Sequence, residues 1–318
     1  MIKQSTFHPA FILRNRHLQT ILPNIIHPTP PQLEKQRLEI DDSDFIDLLW
    51  SQTRSTKTLL IIHGLEGSVY SCYAQRMLNY CNYHKIAAVF MHLRGCSGEP
   101  NRLLKSYHAG ETSDLKRVIQ HLKNNGVCEV ALLGYSLGGN QVIKYMGEAE
   151  TSAVIRCAIG VSVPITLSIC SKTMNQGFAK IYQKTLLDSL IKKIQHKSRL
   201  IDLCGLSLPD PKKMKSLQQF DDYFTAPIHG FNNVNDYYER SSSRQFLSNV
   251  DKPTLIIQAK DDPFMTPSVL PESGELSPAV TLEITSHGGH LGFISSNYFI
   301  PKPWLETRIH CFLKDCFL

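Results

Sequence analysis

From residue 36 onward the apolar positions fall into short runs whose period changes along the chain. Leu38, Ile40, Phe45, Ile46, Leu48 and Trp50 flank the acidic turn Asp41-Asp42-Ser43-Asp44, which predicts a hairpin over 36–50. Thr58 to Ile62 reads as a short buried strand, Tyr73 to Tyr83 as a helix, and Ala87 to Met91 as a second strand. Leu115, Val118, Ile119 and Leu122, spaced i, i+3, i+4 and i+7, predict a helix that Thr112 or Ser113 caps and Gly126 ends. A strand from Val130 to Leu133, a helix after Ser136 and a strand from Cys157 to Val163 continue the series. Strands alternating with helices predict an α/β fold, a mostly parallel sheet with helices on both faces.

After Pro164 the alternation stops, and no strand pattern returns until Thr254 to Ile257. An excursion that long inside a compact domain should have structure of its own. Leu187, Leu190, Ile191 and Ile194 show helical spacing, and Lys180, Lys184, Lys192, Lys193 and Lys197 make the stretch basic. It reads as a helical lid inserted at about 165–250 in a single domain spanning 1–318. Two other readings stay open: a helix packed on the sheet edge, and a basic amphipathic helix lying on a membrane surface. A strand from Val280 to Ile284 and a helix from about Trp304 close the fold, with no internal repeat or low-complexity tract.

Composition narrows the class. Of 318 residues, 19% are charged and 42% hydrophobic, which is ordinary for a globular chain and excludes disorder or a fibre. The net charge of +6 is spread without a run of five basic residues, so no nucleic-acid partner is expected, and at most weak contact with an anionic membrane surface. Cysteines at 72, 81, 96, 128, 157, 170, 204, 311 and 316 are odd in number and lack a C-x-x-C pair, so free thiols in a reducing compartment fit best. The first residues meet His8, Arg14, Arg16 and His17 before any apolar h-region forms, and no stretch reaches the ~20 residues of a spanning helix. A cytoplasmic protein without a transmembrane segment is expected.

The chemistry centres on Gly134-Tyr135-Ser136-Leu137-Gly138, placed between a predicted strand and a predicted helix. A G-x-S-x-G turn there projects the serine above the sheet, with glycines leaving room for the backbone. A serine hydroxyl needs a base within reach and a third group to orient that base. Asp261 and Asp262 follow the strand Thr254 to Ile257, and His290 lies in Ser286-His287-Gly288-Gly289-His290 after the next strand. Strand-end loops of this kind are where an open α/β sheet places its ligands. The acid stays open between Asp262 and Asp261, and His287 is the alternative base. Donors to a developing oxyanion are expected from the N–H of Leu137 and of Leu65, the latter in the loop His63-Gly64-Leu65-Glu66-Gly67 or else part of a plain tight turn. His92, Arg94 and His108 could line the pocket or satisfy loop hydrogen bonds. His287, His290 and Asp261 lack the spacing of a metal site, and neither nucleotide-binding glycine motif is present, so no metal and no cofactor are expected.

Together these residues resemble the α/β-hydrolase superfamily, and further strings resemble its YheT-like esterases. They include Arg14-Asn15-Arg16-His17-Leu18-Gln19-Thr20, Arg94-Gly95-Cys96-Ser97-Gly98 and Tyr107-His108-Ala109-Gly110-Glu111-Thr112-Ser113-Asp114. Phe220-Asp221-Asp222, Thr225-Ala226-Pro227, Gly230-Phe231, Asp236-Tyr237-Tyr238 and His287 through Phe293 belong to the same set, and the match runs from about residue 7 to the C-terminus. Counting three on from Ala259, where related hydrolases often carry a glycine, selects Asp262. Ser97 departs from the pattern, where a second glycine is expected. The resemblance implies a cofactor-free hydrolase of small-molecule carboxylic esters, lipid-derived ones among them, with short or medium acyl groups and a Ser-Asp-His triad. An acyltransferase or thioesterase would use the same triad, and a binding scaffold would keep the fold without the chemistry.

Overall fold

A computed structural model describes residues 1–25, 28–148, 152–203, 209–297 and 300–318. Its strands are β1 (Ile2–Gln4), β2 (Glu34–Glu39), β3 (Phe45–Trp50), β4 (Lys57–Ile62), β5 (Ala88–Met91), β6 (Glu129–Tyr135), β7 (Ile155–Val161), β8 (Thr254–Ala259) and β9 (Val280–Thr285). They form a nine-stranded sheet in the order β1-β9-β8-β7-β6-β4-β5-β3-β2, parallel throughout except for β3 and β2. A small antiparallel pair, β10 (Ile294–Asn297) and β11 (Ile300–Pro303), follows.

The central strands are apolar on both faces because helices cover both. Leu59 and Ile61 of β4, with Ala131, Leu133 and Tyr135 of β6, point into the core beneath helices α2 (Cys72–Tyr83) and α11 (Trp304–Cys316). Leu60 and Ile62, with Val130 and Leu132, point to the opposite core under α3 (Ser113–Asn124) and α4 (Leu137–Met146). This period of two inside a continuous hydrophobic run is what a doubly covered parallel sheet requires.

Several elements depart from the expected ones. The strand expected over Cys157 to Val163 ends at Val161, because Ser162 turns into the left-handed region with φ 51°. The sequence pattern also passes over β1 and helix α1 (Arg16–Ile25), which lie ahead of the hairpin.

Between β7 and β8 the chain is helical: α5 (Leu167–Met174), α6 (Ala179–His196), α7 (Ser198–Leu203), α8 (Leu217–Phe220), a π-helical turn Asp221–Thr225, α9 (Ala226–Ile228) and α10 (Val234–Ser241). Leu187 and Ile194 of α6 are buried with Met174, Phe220 and Phe224 in a core of their own. That core meets Leu65, Leu104 and Phe264, so the helices stand over strand-end loops rather than along the sheet edge.

Candidate active site

Ser136 is the last residue before α4, held at φ 51° and ψ −119°. This is left-handed territory that a side chain rarely occupies, and such strain persists only where the surroundings enforce it. Here the enforcement is close packing. A Cβ on Gly134 would run into the carbonyl of Gly138, and one on Gly64 would lie 3.0 Å from the Ser136 Cβ. The backbone thus passes close beneath the serine and the His63–Gly67 loop close beside it.

Three side chains converge at this turn. Ser136 Oγ lies 2.9 Å from His290 Nε2, and His290 Nδ1 lies 2.8 Å from Asp262 Oδ2. His290 and Asp262 are both buried. With the carboxylate accepting from Nδ1–H, the lone pair of Nε2 faces the serine hydroxyl. The other oxygen of Asp262 accepts the N–H of Phe264 at 2.8 Å, and the Phe264 ring stacks on the imidazole at 3.9 Å and 8°. Asp261 points elsewhere: it accepts the N–H of Gly289 at 3.0 Å and lies 3.5 Å from His287 Nδ1. Burial raises its pKa. Asp261 and His287 therefore brace the loop that carries His290, while Asp262 faces the imidazole.

The His63 loop is built around its own side chain. Buried His63 donates from Nδ1 to the Gly64 carbonyl at 2.7 Å and accepts the Leu93 N–H on Nε2 at 3.0 Å. Both bonds need the neutral ring, and burial pushes its pKa down to about 3. Leu137 is the first residue of α4, where N–H groups lack helical partners, and Leu65 follows Gly64 in the loop packed against the Ser136 turn.

Of the three pocket candidates, His92 is structural, accepting the Val69 N–H at 3.2 Å, with burial holding its pKa near 4. Arg94 is locked to Asp114 at 2.6 Å, Asp42 at 2.8 Å and Asp44 at 3.3 Å, although its edge reaches the cavity described next. His108 also borders that cavity, its ring tilted against that of His229 at 4.6 Å and held neutral by burial, with its pKa near 4. Ser97, the departure from the family pattern, donates to Asp47.

A cavity of about 430 Å³ opens beside Leu65 and Leu137, bounded by Tyr107, Leu190, Ile194 and Phe224. One polar cluster crosses its wall. Glu66, at φ 54°, accepts from Lys193 Nζ at 2.8 Å, from the Tyr107 hydroxyl at 2.6 Å and from the Ser189 hydroxyl. Lys193 and Lys197 thus turn inward, Lys197 onto Asn101 Oδ1 at 2.6 Å, with burial lowering its pKa to about 8. The basic stretch of α6 is accordingly less of an outward face than its lysine content implies.

Other contributors carried no assigned role in the sequence. Gln19 Nε2 donates to the carbonyls of Leu13 and Ile294, and its oxygen accepts the Ile294 N–H at 2.8 Å. Thr20 Oγ1 accepts the N–H of His290 at 3.0 Å. Helix α1 fits this closely because the loop presents glycine: a Cβ on Gly289 would lie 2.7 Å from Thr20 Oγ1. The only trace of this in the sequence is the Arg14–Thr20 string itself.

The fold is that of an α/β hydrolase, and comparison with known proteins makes the chain an ester hydrolase. Residues 57–296 match the family model described as alpha/beta hydrolase fold, and the chain belongs to that family. Within it the chain groups with YheT of Escherichia coli (strain K12), which carries an esterase name, at 40% identity over 95% of this chain and 91% of that protein. Phospholipase ABHD3 of Mus musculus is 28% identical over 91% of this chain and 73% of that protein. Among solved structures, the Pyrococcus furiosus esterase Pf2001 superposes with a TM-score of 0.60 at 17% identity, covering 99% of both chains.

Proposed function

We propose that this protein hydrolyses carboxylic esters of short to medium acyl chains through a serine nucleophile and an acyl-enzyme. The observation carrying this reading is the unbroken series Asp262 Oδ2, His290 and Ser136 Oγ, at 2.8 and 2.9 Å. Ser136 Oγ attacks the ester carbonyl while His290 Nε2 takes its proton, and Asp262 steadies the imidazolium. His290 then protonates the departing alcohol, and water, deprotonated by the same nitrogen, releases the acid. The N–H groups of Leu137 and Leu65 receive the oxyanion, a donor of this kind contributing about 3 kcal/mol in the transition state. The cavity beside them, with Leu190, Ile194 and Phe224 in its wall, suits the acyl chain, and α5–α10 serve as the lid above it.

Hydrolysis of p-nitrophenyl esters from acetate to palmitate, run beside Ser136→Ala, tests the reading. Activity that peaks at one chain length and vanishes in the variant is the expected result. Activity surviving in Ser136→Ala, or a wild type that neither turns over esters nor is labelled by a fluorophosphonate, sinks it.

A further inference from the structure

One side of the molecule leaves large apolar side chains in solvent that the chemistry does not use. Phe11 and Ile12, on a short 3-10 turn, are 83% and 73% exposed, and Leu18 and Ile25, seven residues apart on α1, are exposed as well. Phe178 and Ile181, at the start of α6, join them, Ile181 at 57%. His17 links the two groups, its ring 4.3 Å from that of Phe178 and its Nδ1 3.1 Å from the Tyr182 hydroxyl. Aromatic contact continues inward from Tyr182 to Phe264 at 5.1 Å and from Phe264 to His290 at 3.9 Å. The patch stands at the outer end of a series whose inner end is the proposed base.

The charged residues within 11–25 and 178–184 are all basic. Arg14, Arg16, Lys180 and Lys184 are exposed among the apolar residues, and the Arg14 guanidinium sits 5.4 Å from the Phe11 ring. The sequence has no Asp or Glu from 1 to 33 or from 151 to 187. The carboxylate that ends the second stretch, Asp188, is paired with Lys184 at 2.6 Å. Apolar side chains interleaved with long cationic ones are the composition of a surface that seats in the headgroup layer of a membrane. The rings and branched chains enter the acyl boundary while guanidinium and ammonium groups stay at the phosphates.

We propose that the face formed by 11–25 and 178–184 docks this protein on an anionic lipid surface. The orientation presents the aromatic series, and through it the Ser136 centre, to esters held in that surface. The second part rests on the proposed function; the docking itself does not.

Docking is therefore tested on Ser136→Ala protein, by co-sedimentation with vesicles of phosphatidylcholine and phosphatidylglycerol in equal parts, and with phosphatidylcholine alone. The expected result is binding to the anionic vesicles that weakens as salt rises. Phe11→Ser, Ile12→Ser and Ile181→Ser combined should lower the partition at least about tenfold. In the Ser136 background the same triple variant should still hydrolyse a soluble short ester as wild type does, which shows that it folds. Arg14→Glu with Lys180→Glu should remove the preference for anionic vesicles. No binding to anionic vesicles overturns the proposal, as does unchanged binding by the triple variant. Equal, salt-insensitive binding to neutral vesicles does so too. Self-association in light scattering that the triple variant abolishes, without vesicle binding, assigns the face to a second copy instead. Absence of esterase activity in the function test would leave the vesicle readings standing, with circular dichroism and urea denaturation then serving as the check that the triple variant folds.

Discussion

Two adjacent carboxylates at the end of β8 differ in what captures their oxygens. Asp262 gives one oxygen to the Phe264 N–H and keeps the other for His290, whereas Asp261 is held by the Gly289 N–H and faces His287. Asp262→Asn therefore removes the acceptor that fixes the imidazole tautomer, and kcat should fall by about 10⁴. Asp261→Asn should lower it no more than about tenfold, because it loosens a loop rather than the base. Steady-state kinetics on one soluble ester decides the matter, and comparable losses in the two variants would contradict this division. Position after the strand narrows the acid to two residues, and only the count from Ala259 in related hydrolases selects Asp262. The choice depends on which side chain the strand end turns toward His290, a contact 28 residues distant with no periodic trace. Ser136 and His290 were legible because each sits at a glycine-rich turn directly after a strand pattern.

At the scale of elements, the catalytic loop is supported by segments remote in sequence. Helix α1 supplies Thr20, whose hydroxyl accepts the N–H of His290 across 270 residues. Thr20→Val leaves that buried N–H without a partner, costing about 1–3 kcal/mol, and should lower kcat about tenfold with KM little changed. Thr20→Ser, which keeps the oxygen, should recover most of it; failure of that rescue would mean the methyl group matters instead. Helix α6 supplies Lys193 to Glu66, whose side chain is only 4% exposed. Lys193→Met strands that carboxylate in the wall of the cavity, and urea denaturation should register a loss of about 2 kcal/mol, below the usual range because Lys193 is partly exposed. Adding Glu66→Gln should return more than half of it, and strict additivity of the two changes would exclude the pairing. Helical spacing in 187–194 revealed α6 but not this bond. Period shows which face is apolar, not which lysines find an acid on a different loop.

Across the whole molecule, legibility follows burial. Strands β4, β6, β7 and β8 are covered on both faces and read as apolar runs, while β1, Ile-Lys-Gln at the sheet edge, is exposed throughout and has no pattern to read. The short turns through 211–228 escape for the same reason, being too brief for a helical period. This division also predicts how the protein opens. Helices α6 and α8 and the π-helical turn bury a small core of their own, around Leu187, Ile194, Phe220 and Phe224, whereas α5, α9 and α10 set Cys170, Ala226, Val234, Tyr237 and Tyr238 in the main core with the sheet. The backbone bonds of α6 are local, so it can separate with its small core without breaking the sheet's ladder, and sub-global opening of that kind takes less free energy than global unfolding. Hydrogen exchange followed by mass spectrometry should find the amides of α6 at least about tenfold less protected than those of β4 and β6. Reaction with a fluorophosphonate, which fills the space beside Leu65 and Leu137, should slow exchange in α6 and in 63–67 while leaving β4 and β6 unchanged. Equal protection in α6 and the central strands would mean that the helices open only with the sheet, and a substrate would then have to enter past a closed cover.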